Sequence, residues 1–300
     1  MRSPLVRPLT AVFAAALVAG ALAGCTGGPF AEGCTPALAS GDASEAVTVS
    51  GDVGVSPVID YPTPLLAPTP ERSIAVAGEG AEIREGDVAL ITVTIRDAAS
   101  DTVLETPSGL LTARESFLAL GQAVICATEG SRVVVVGSAA EVWPQAAAET
   151  VVAVIDVQQV FLGKANGVNQ LPLDGMPTVV TAVDGTPGIA LAYTSPPEEQ
   201  RLATIKAGSG ATVEDGDSVV FHGRSWSWPA TEQGTPAIGQ LDSWTNFQAR
   251  FLEIDADDDS PVTQALLGAK VGSQLLVVVP GAEGAQADII VLDVLGILEE

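Results

Sequence analysis

The sequence predicts an α+β protein built from two successive copies of one unit, each an antiparallel sheet with a single short helix packed on it. Three observations carry that expectation: an internal repeat, β-branched runs bounded by turn residues, and one helix-compatible stretch in each copy. The repeat is the most informative. Residues 77–88 align with 207–218 at an offset of 130, with six of twelve positions identical. Upstream, Pro57 and Ile59 meet Pro187 and Ile189 at the same offset. Downstream, 129–136 resembles 271–278, and 154–157 echoes 291–294. Four matches in one order point to two related domains rather than to chance.

Within the first copy, residues 88–95, 132–137 and 151–161 are rich in Val and Ile and are bounded by Gly, Asp or Pro, as strands are. Their counterparts are 218–221, 275–279 and 289–297. A helix-compatible piece precedes the second strand run of each copy, at 114–127 and 261–269. The latter opens with Ser260-Pro261, a helix cap followed by proline in the first turn, and Gly268 stands near its end.

The N-terminus reads differently. Arg2 and Arg7 precede an apolar stretch, 11–20, and then Leu22-Ala23-Gly24-Cys25. A basic start and a short apolar core form a secretory signal, too short for a spanning helix. The four residues ending at Cys25 match the lipobox, where small residues let the chain enter a signal peptidase in extended form. The expectation is an exported lipoprotein, its signal peptide residues 1–24, anchored through lipid on Cys25 at the extracytoplasmic face of the cell membrane. Two cysteines then remain, Cys34 and Cys126, which can pair in an oxidising compartment or stay as buried thiols; a disulfide is the expected outcome.

Thirteen basic against 37 acidic residues leave a formal charge of −24, or −26 once Arg2 and Arg7 are removed. That balance excludes nucleic acid as a partner and disfavours direct contact with an anionic membrane surface. The expected organisation is a tether over 25–46, a first domain over 47–162, a linker over 163–177 that lacks periodicity, and a second domain over 178–300.

The second copy resembles FKBP-type peptidyl-prolyl cis-trans isomerase domains. The resemblance is carried by residues 210–223, Leu241-Asp242-Ser243-Trp244, Phe251, the run Leu267-Gly268-Ala269-Lys270-Val271-Gly272-Ser273-Gln274, Val277-Val278-Val279-Pro280 and Ile290-Val291-Leu292-Asp293-Val294. It covers about 95 residues of copy two and, far more faintly, copy one. With signal and tandem copies together, the architecture is similar to FKBP-like bacterial lipoproteins. The resemblance implies a curved antiparallel sheet wrapped around a short helix in each domain. It implies a rotamase of exported proline-containing polypeptides, needing neither cofactor nor metal. Such an enzyme lowers the ~18–20 kcal/mol barrier of an X-Pro bond by offering the twisted amide a dry apolar pocket.

Carried over by position, the implied pocket consists of His222, Leu241, Asp242, Phe251, Val262 and Leu292. His222 stands where the family has a tyrosine, and Leu241 and Leu292 stand where it has phenylalanines. Val262 falls at the aromatic pocket floor, and Asp258-Asp259 replace an apolar pair. Asp242 and Phe251 are retained. The loop between Pro280 and Ile289 is short and lacks an aromatic residue. Each buried ring lost removes ~1.5–3 kcal/mol of apolar contact.

Other motifs carry less. Asp255, Asp257 and Asp259 alternate as in a calcium loop, but Ser260 and Leu266 stand where an EF-hand needs Gly and Glu, so the turn reads as a solvated acidic loop. His222 is the only histidine, and a pocket or strand-face role fits it better than proton transfer. Trp226, Trp228 and Trp244 either grip an extended peptide or cover the sheet's own core. Trp143-Pro144 reads as a turn. Two functions follow: a prolyl isomerase assisting folding of exported proteins, or a module that keeps the fold and binds client peptides without catalysis.

Overall fold

In the computed structural model the described residues are 33–191, 195–229, 234–281 and 286–299. The signal segment and Cys25 lie outside them, as do 282–285 of the loop after Pro280. The residues from Cys34 onward form one unit.

The first half runs α1 (Asp42–Glu45), β1 (Thr48–Ser50), β2 (Val58–Asp60), β3 (Glu71–Val76), β4 (Val88–Asp97), β5 (Val103–Glu105), β6 (Ser108–Thr112), α2 (Ala119–Ala123), β7 (Arg132–Ser138), α3 (Ala139–Val142) and β8 (Thr150–Phe161). The second runs β9 (Val168–Asn169), β10 (Thr178–Thr181), β11 (Pro187–Ala190), β12 (Arg201–Ala207), β13 (Ser218–Ser227), β14 (Ala237–Asp242), β15 (Arg250–Glu253), α4 (Pro261–Leu266), β16 (Gln274–Val279) and β17 (Asp288–Ile297).

The repeat in the sequence is a repeat in topology. One sheet has the order β3-β7-β8-β4-β5, with β6 also on β4; the other has β9-β12-β16-β17-β13-β14, with β15 also on β13. Every named strand pair is antiparallel. Hence β3, β7, β8 and β4 correspond to β12, β16, β17 and β13.

The valine runs become central strands because both of their faces are covered, which is what an uninterrupted apolar strand signals. On β7, Val133 and Val135 join the core on the α2 side, while Val134 and Val136 face the β1–β2 hairpin. On β16, Leu275 and Val277 lie on the α4 side, and Leu276 and Val278 on the side of Val179 and Ile189 from the β10–β11 hairpin. Each copy therefore has three layers: short helix, sheet and hairpin. The aligned Ile59 and Ile189 belong to those hairpins.

The repeated glycines are backbone requirements. A Cβ on Gly78 would stand 2.6 Å from Ser131 N, and one on Gly208 2.6 Å from Ser273 N. In each copy that loop crosses a turn whose own glycine has positive φ, 83° at Gly130 and 89° at Gly272. The following serine hydroxyl accepts the crossing N–H, Gly78 N to Ser131 Oγ at 3.0 Å and Gly208 N to Ser273 Oγ at 3.0 Å. The Gly-Ser motif that carries much of the family resemblance thus serves the fold.

Several expectations need correction. The helices are shorter than predicted, four to six residues each, so the α+β description holds only loosely and the protein is dominated by sheet. The helix expected over 114–127 is confined to Ala119–Ala123, since the chain reverses at Cys126, which has φ 65°. The helix expected over 261–269 ends at Leu266. From Cys34 on, the expected tether is packed: Cys34, Ala37 and Leu38 lie on the first core, and Arg72 N donates to Ala39 O at 2.9 Å. The expected linker is packed too. Its Ala165 and Met176 are buried, and β9 pairs with β12. Cys34 and Cys126 form a disulfide with Cα atoms 5.6 Å apart.

Candidate substrate hollow

Alternation along β13 decides what the site contains, because successive side chains of a strand point to opposite faces. Val219 and Phe221 belong to the core beneath α4. A Cβ on Gly223 would meet Leu241 Cδ2 at 2.8 Å and Leu292 Cδ2 at 3.1 Å, on that same side. Val220, His222 and Arg224 point the other way. Val220 packs in the seam between the copies with Val88, Phe161 and Leu295.

The strand registers extend this division to the neighbours. Asp242 pairs with Arg224, and Phe251 with Val220, so both share the face away from α4. There they line one hollow of about 450 Å³ with Leu110, Asn246, Gln248, Ala249 and Arg250. Leu110 comes from β6 of the first copy, so the hollow is completed across the seam. Leu241 and Val262 pack on the α4-side core, and Leu292 is fully buried within it. The six pocket residues implied by the family resemblance therefore belong to two faces: His222, Asp242 and Phe251 on one, Leu241, Val262 and Leu292 on the other.

Asp242 is committed to local structure. Its Oδ1 accepts Arg224 Nε at 2.9 Å, Trp244 N at 3.0 Å and Thr245 N at 3.2 Å, while Oδ2 accepts the Thr245 hydroxyl. Partial burial works against its charge, but the Thr245 hydroxyl and the Arg224 guanidinium prevail and hold the carboxyl below its ordinary value. Phe251 is 65% exposed and is the only aromatic side chain among the described residues of this wall.

His222 is fully buried and does not line the hollow. Its ring stacks on Trp244 at 4.2 Å between centroids, and Nδ1 shares a 2.8 Å hydrogen bond with Ser243 Oγ. Nε2 is buried with no partner among the described residues. Burial pushes its pKa down to about 4, so the ring is neutral at ordinary pH. Trp226 and Trp228 belong to the core covered by the β10–β11 hairpin, and Trp244 is 2% exposed, so the tryptophans cover the sheet rather than grip a peptide.

The acidic turn before α4 serves the chain. Asp255 Oδ1 accepts Asp257 N at 2.9 Å, and Asp258 accepts Ser260 N at 3.0 Å and the Thr263 hydroxyl at 2.6 Å. Asp258 thus supports the start of the helix. Among the described residues no three His, Cys, Asp or Glu side chains are grouped as a metal site would require.

Sequence reasoning missed Leu110, Asn246, Gln248 and Arg250. The alternation of Val219, Phe221 and Gly223 against Val220, His222 and Arg224 was the available signal for separating the faces. Nothing local in the sequence brings Leu110 to Phe251.

The strand order and the helix-bearing faces define a class: tandem antiparallel sheets with short helices packed on them, among the described residues three in the first copy and α4 in the second. Compared with solved structures, the chain is similar to the three FKBP domains of wheat FKBP73, at 14% identity and TM-score 0.30, over 77% of this chain and 95% of that one. It is also similar to FkpA of Escherichia coli, at 18% identity and TM-score 0.27 over 42% of this chain, which spans about half (52%) of FkpA. FKBP12 of Mycobacterium tuberculosis matches at 20% identity and TM-score 0.27, over 35% of this chain and 88% of that one. At these TM-scores the likenesses carry no weight beside the strand order itself. No family model and no curated protein matches the chain.

Proposed function

We propose that this chain is an FKBP-type peptidyl-prolyl isomerase by lineage, exported and held to the membrane by lipid on Cys25, that handles proline-containing polypeptides during their folding. Its second copy is the working domain. The observation that supports this reading is the shared hollow of Asp242 and Phe251, on a sheet whose Gly272-Ser273 turn and short following strand match the family resemblance. Prolyl isomerisation asks for no nucleophile. It asks for apolar walls that favour the twisted amide.

A second reading, binding without appreciable catalysis, is favoured by one specific observation. The apolar members Leu241, Val262 and Leu292 pack into the domain's own core, leaving Phe251 with Leu110 and Ala249 among otherwise polar neighbours. On this geometry the protein binds extended polypeptide and accelerates isomerisation little.

The deciding measurement is cis-to-trans relaxation of X-Pro peptides with the full chain, alongside suppression of aggregation of an unfolded protein. The expected result is suppression with a small acceleration, both reduced by Phe251→Ala. Strong acceleration would show that a proline pocket operates and would remove the binding-only reading. Neither effect would remove both readings. Cys25→Ser is expected to release the protein from the membrane fraction, and unchanged fractionation would refute the anchor.

A further inference from the structure

A cavity of about 750 Å³ lies in the seam between the copies. Asp87 and Arg114 of the first copy line it, with Lys164 and Asn166 of the connecting segment and Val183 and Asp184 of the β10–β11 turn. Its charged groups are not equivalent. Asp87 already accepts Arg84 N at 2.9 Å and Gly163 N at 3.2 Å; Asp184 accepts Thr186 N at 3.0 Å. Glu85, at the rim, accepts Glu115 N at 3.0 Å. Lys164 donates Nζ to the Val183 carbonyl.

Arg114 is held by stacking and through-space attraction rather than by hydrogen bonds to the described residues. It forms no salt bridge among the described residues, and its Nε is buried without a hydrogen-bond partner. Instead its guanidinium lies over Phe247, 3.6 Å from the ring centroid, and 5.8 Å from that of Phe117. A guanidinium stacked over a ring through its face still has N–H donors free for a carboxylate. Asp184, on the same lining, has its carboxyl lowered by the Thr186 N–H and in part by the Arg114 charge, but Asp184 and Arg114 form no salt bridge, so the guanidinium keeps donors for a further carboxylate.

We infer that this seam cavity is a carboxylate-binding site, with Arg114 as the recognising cation and a peptide segment bearing a free carboxylate as its ligand. A volume of this order suits several residues rather than one small anion, and cavities at domain junctions are common ligand sites. Apolar surface from Leu162, Ala182 and Val183 supplies the wall against which peptide side chains pack. The cavity's lining shares no residue with that of the hollow at Asp242, although Phe247 beneath Arg114 lies in the stretch that walls that hollow, and the proposal does not rest on the isomerase reading.

The test is calorimetric titration of the full chain with an N-acetylated alanine–leucine tetrapeptide, as the free acid and as the C-terminal amide, and with acetate alone. The free acid is expected to bind, and the amide and acetate at least about tenfold more weakly, since one charge-assisted contact is lost in the first and the apolar contacts in the second. Arg114→Gln is expected to weaken the acid about 10- to 100-fold while leaving the amide unchanged. Arg114→Lys, which keeps charge but loses the fork, is expected to fall between. Equal binding of acid and amide overturns the proposal, and because it uses the unaltered protein it does so even if the variants fail to fold. Acetate binding as tightly as the peptide overturns it as well. X-Pro relaxation of the unaltered protein, measured in parallel with and without the tetrapeptide acid, reads the other hollow and is expected to be indifferent to the acid.

Discussion

His222 shows how one residue's surroundings set its chemistry. Enclosed by Trp244 and Ser243, it has its pKa lowered from 6.5 to about 4 by burial. In the unfolded chain the same ring takes up a proton as pH falls below about 6.5, while the folded form refuses it until about 4. The stability it contributes is therefore complete above the upper value and is lost as pH drops through that window, by up to about 3 kcal/mol. Asp293, opposite His222 on β17, acts with the other sign: burial raises its carboxyl, so its contribution is lost as pH rises. Thermal melts from neutral pH down to about 4 are expected to fall less steeply in His222→Asn than in the unaltered protein. Parallel curves would show that His222 does not drive the acid response.

At the scale of elements, the paired glycine loops and serine turns explain why the repeat survives where it does. A side chain on Gly208 collides with the backbone of the 271–273 turn, and Gly78 meets the same obstacle at 129–131. Gly208→Ala and Gly78→Ala are each expected to cost about 1–3 kcal/mol in denaturant unfolding, as overpacked sites do. An unchanged midpoint for either would contradict the close crossing.

Beneath the hairpins the two copies solve one problem with different side chains. In the first, buried Arg132 pairs with Asp156 at 2.6 Å and donates to Gly51 O and Asp52 O at 2.8 Å and to Val55 O at 3.0 Å, pinning the β1–β2 turn. In the second, Gln274 takes the place of Arg132 and donates Nε2 to Asp293 Oδ1 at 2.8 Å, while Asp293 Oδ2 accepts Ala165 N at 2.8 Å. Those contacts draw the segment expected as a linker onto the sheet.

Across the whole molecule, the copies are joined by more than chain connectivity. Gln159 Nε2 donates to Ile297 O at 2.9 Å, Glu299 N donates to Gln159 Oε1 at 3.0 Å, and the Thr112 hydroxyl donates to Phe247 O. Val88 and Phe161 of one copy pack with Val220 and Leu295 of the other. The disulfide closes a further long loop, fastening residues near Cys34 to the turn after α2 across a separation of 92 residues. Restricting the unfolded chain in that way stabilises by about 2–4 kcal/mol. Unfolding of the full chain with and without reductant is expected to differ by that amount, and Cys34→Ser is expected to match the reduced protein. Coincident curves would count against it.

The central strands and the start of α4 at Pro261 were legible in the sequence because they depend on residue type and near neighbours; the repeat was legible from self-comparison, and the pairing of Cys34 with Cys126 from the cysteine count with Cys25 set aside. The site was legible only in part: Asp242 and Phe251 were found together, but residues of the opposite face were joined to them. A strand alternates with a period of two, so one step along β13 separates a side chain in the α4 core from one in the seam. Only the tertiary structure decided which side each residue faced. It also brought Leu110 to Phe251 and Arg114 to Phe247, contacts made by packing surfaces far apart in the chain, for which local sequence holds no signal.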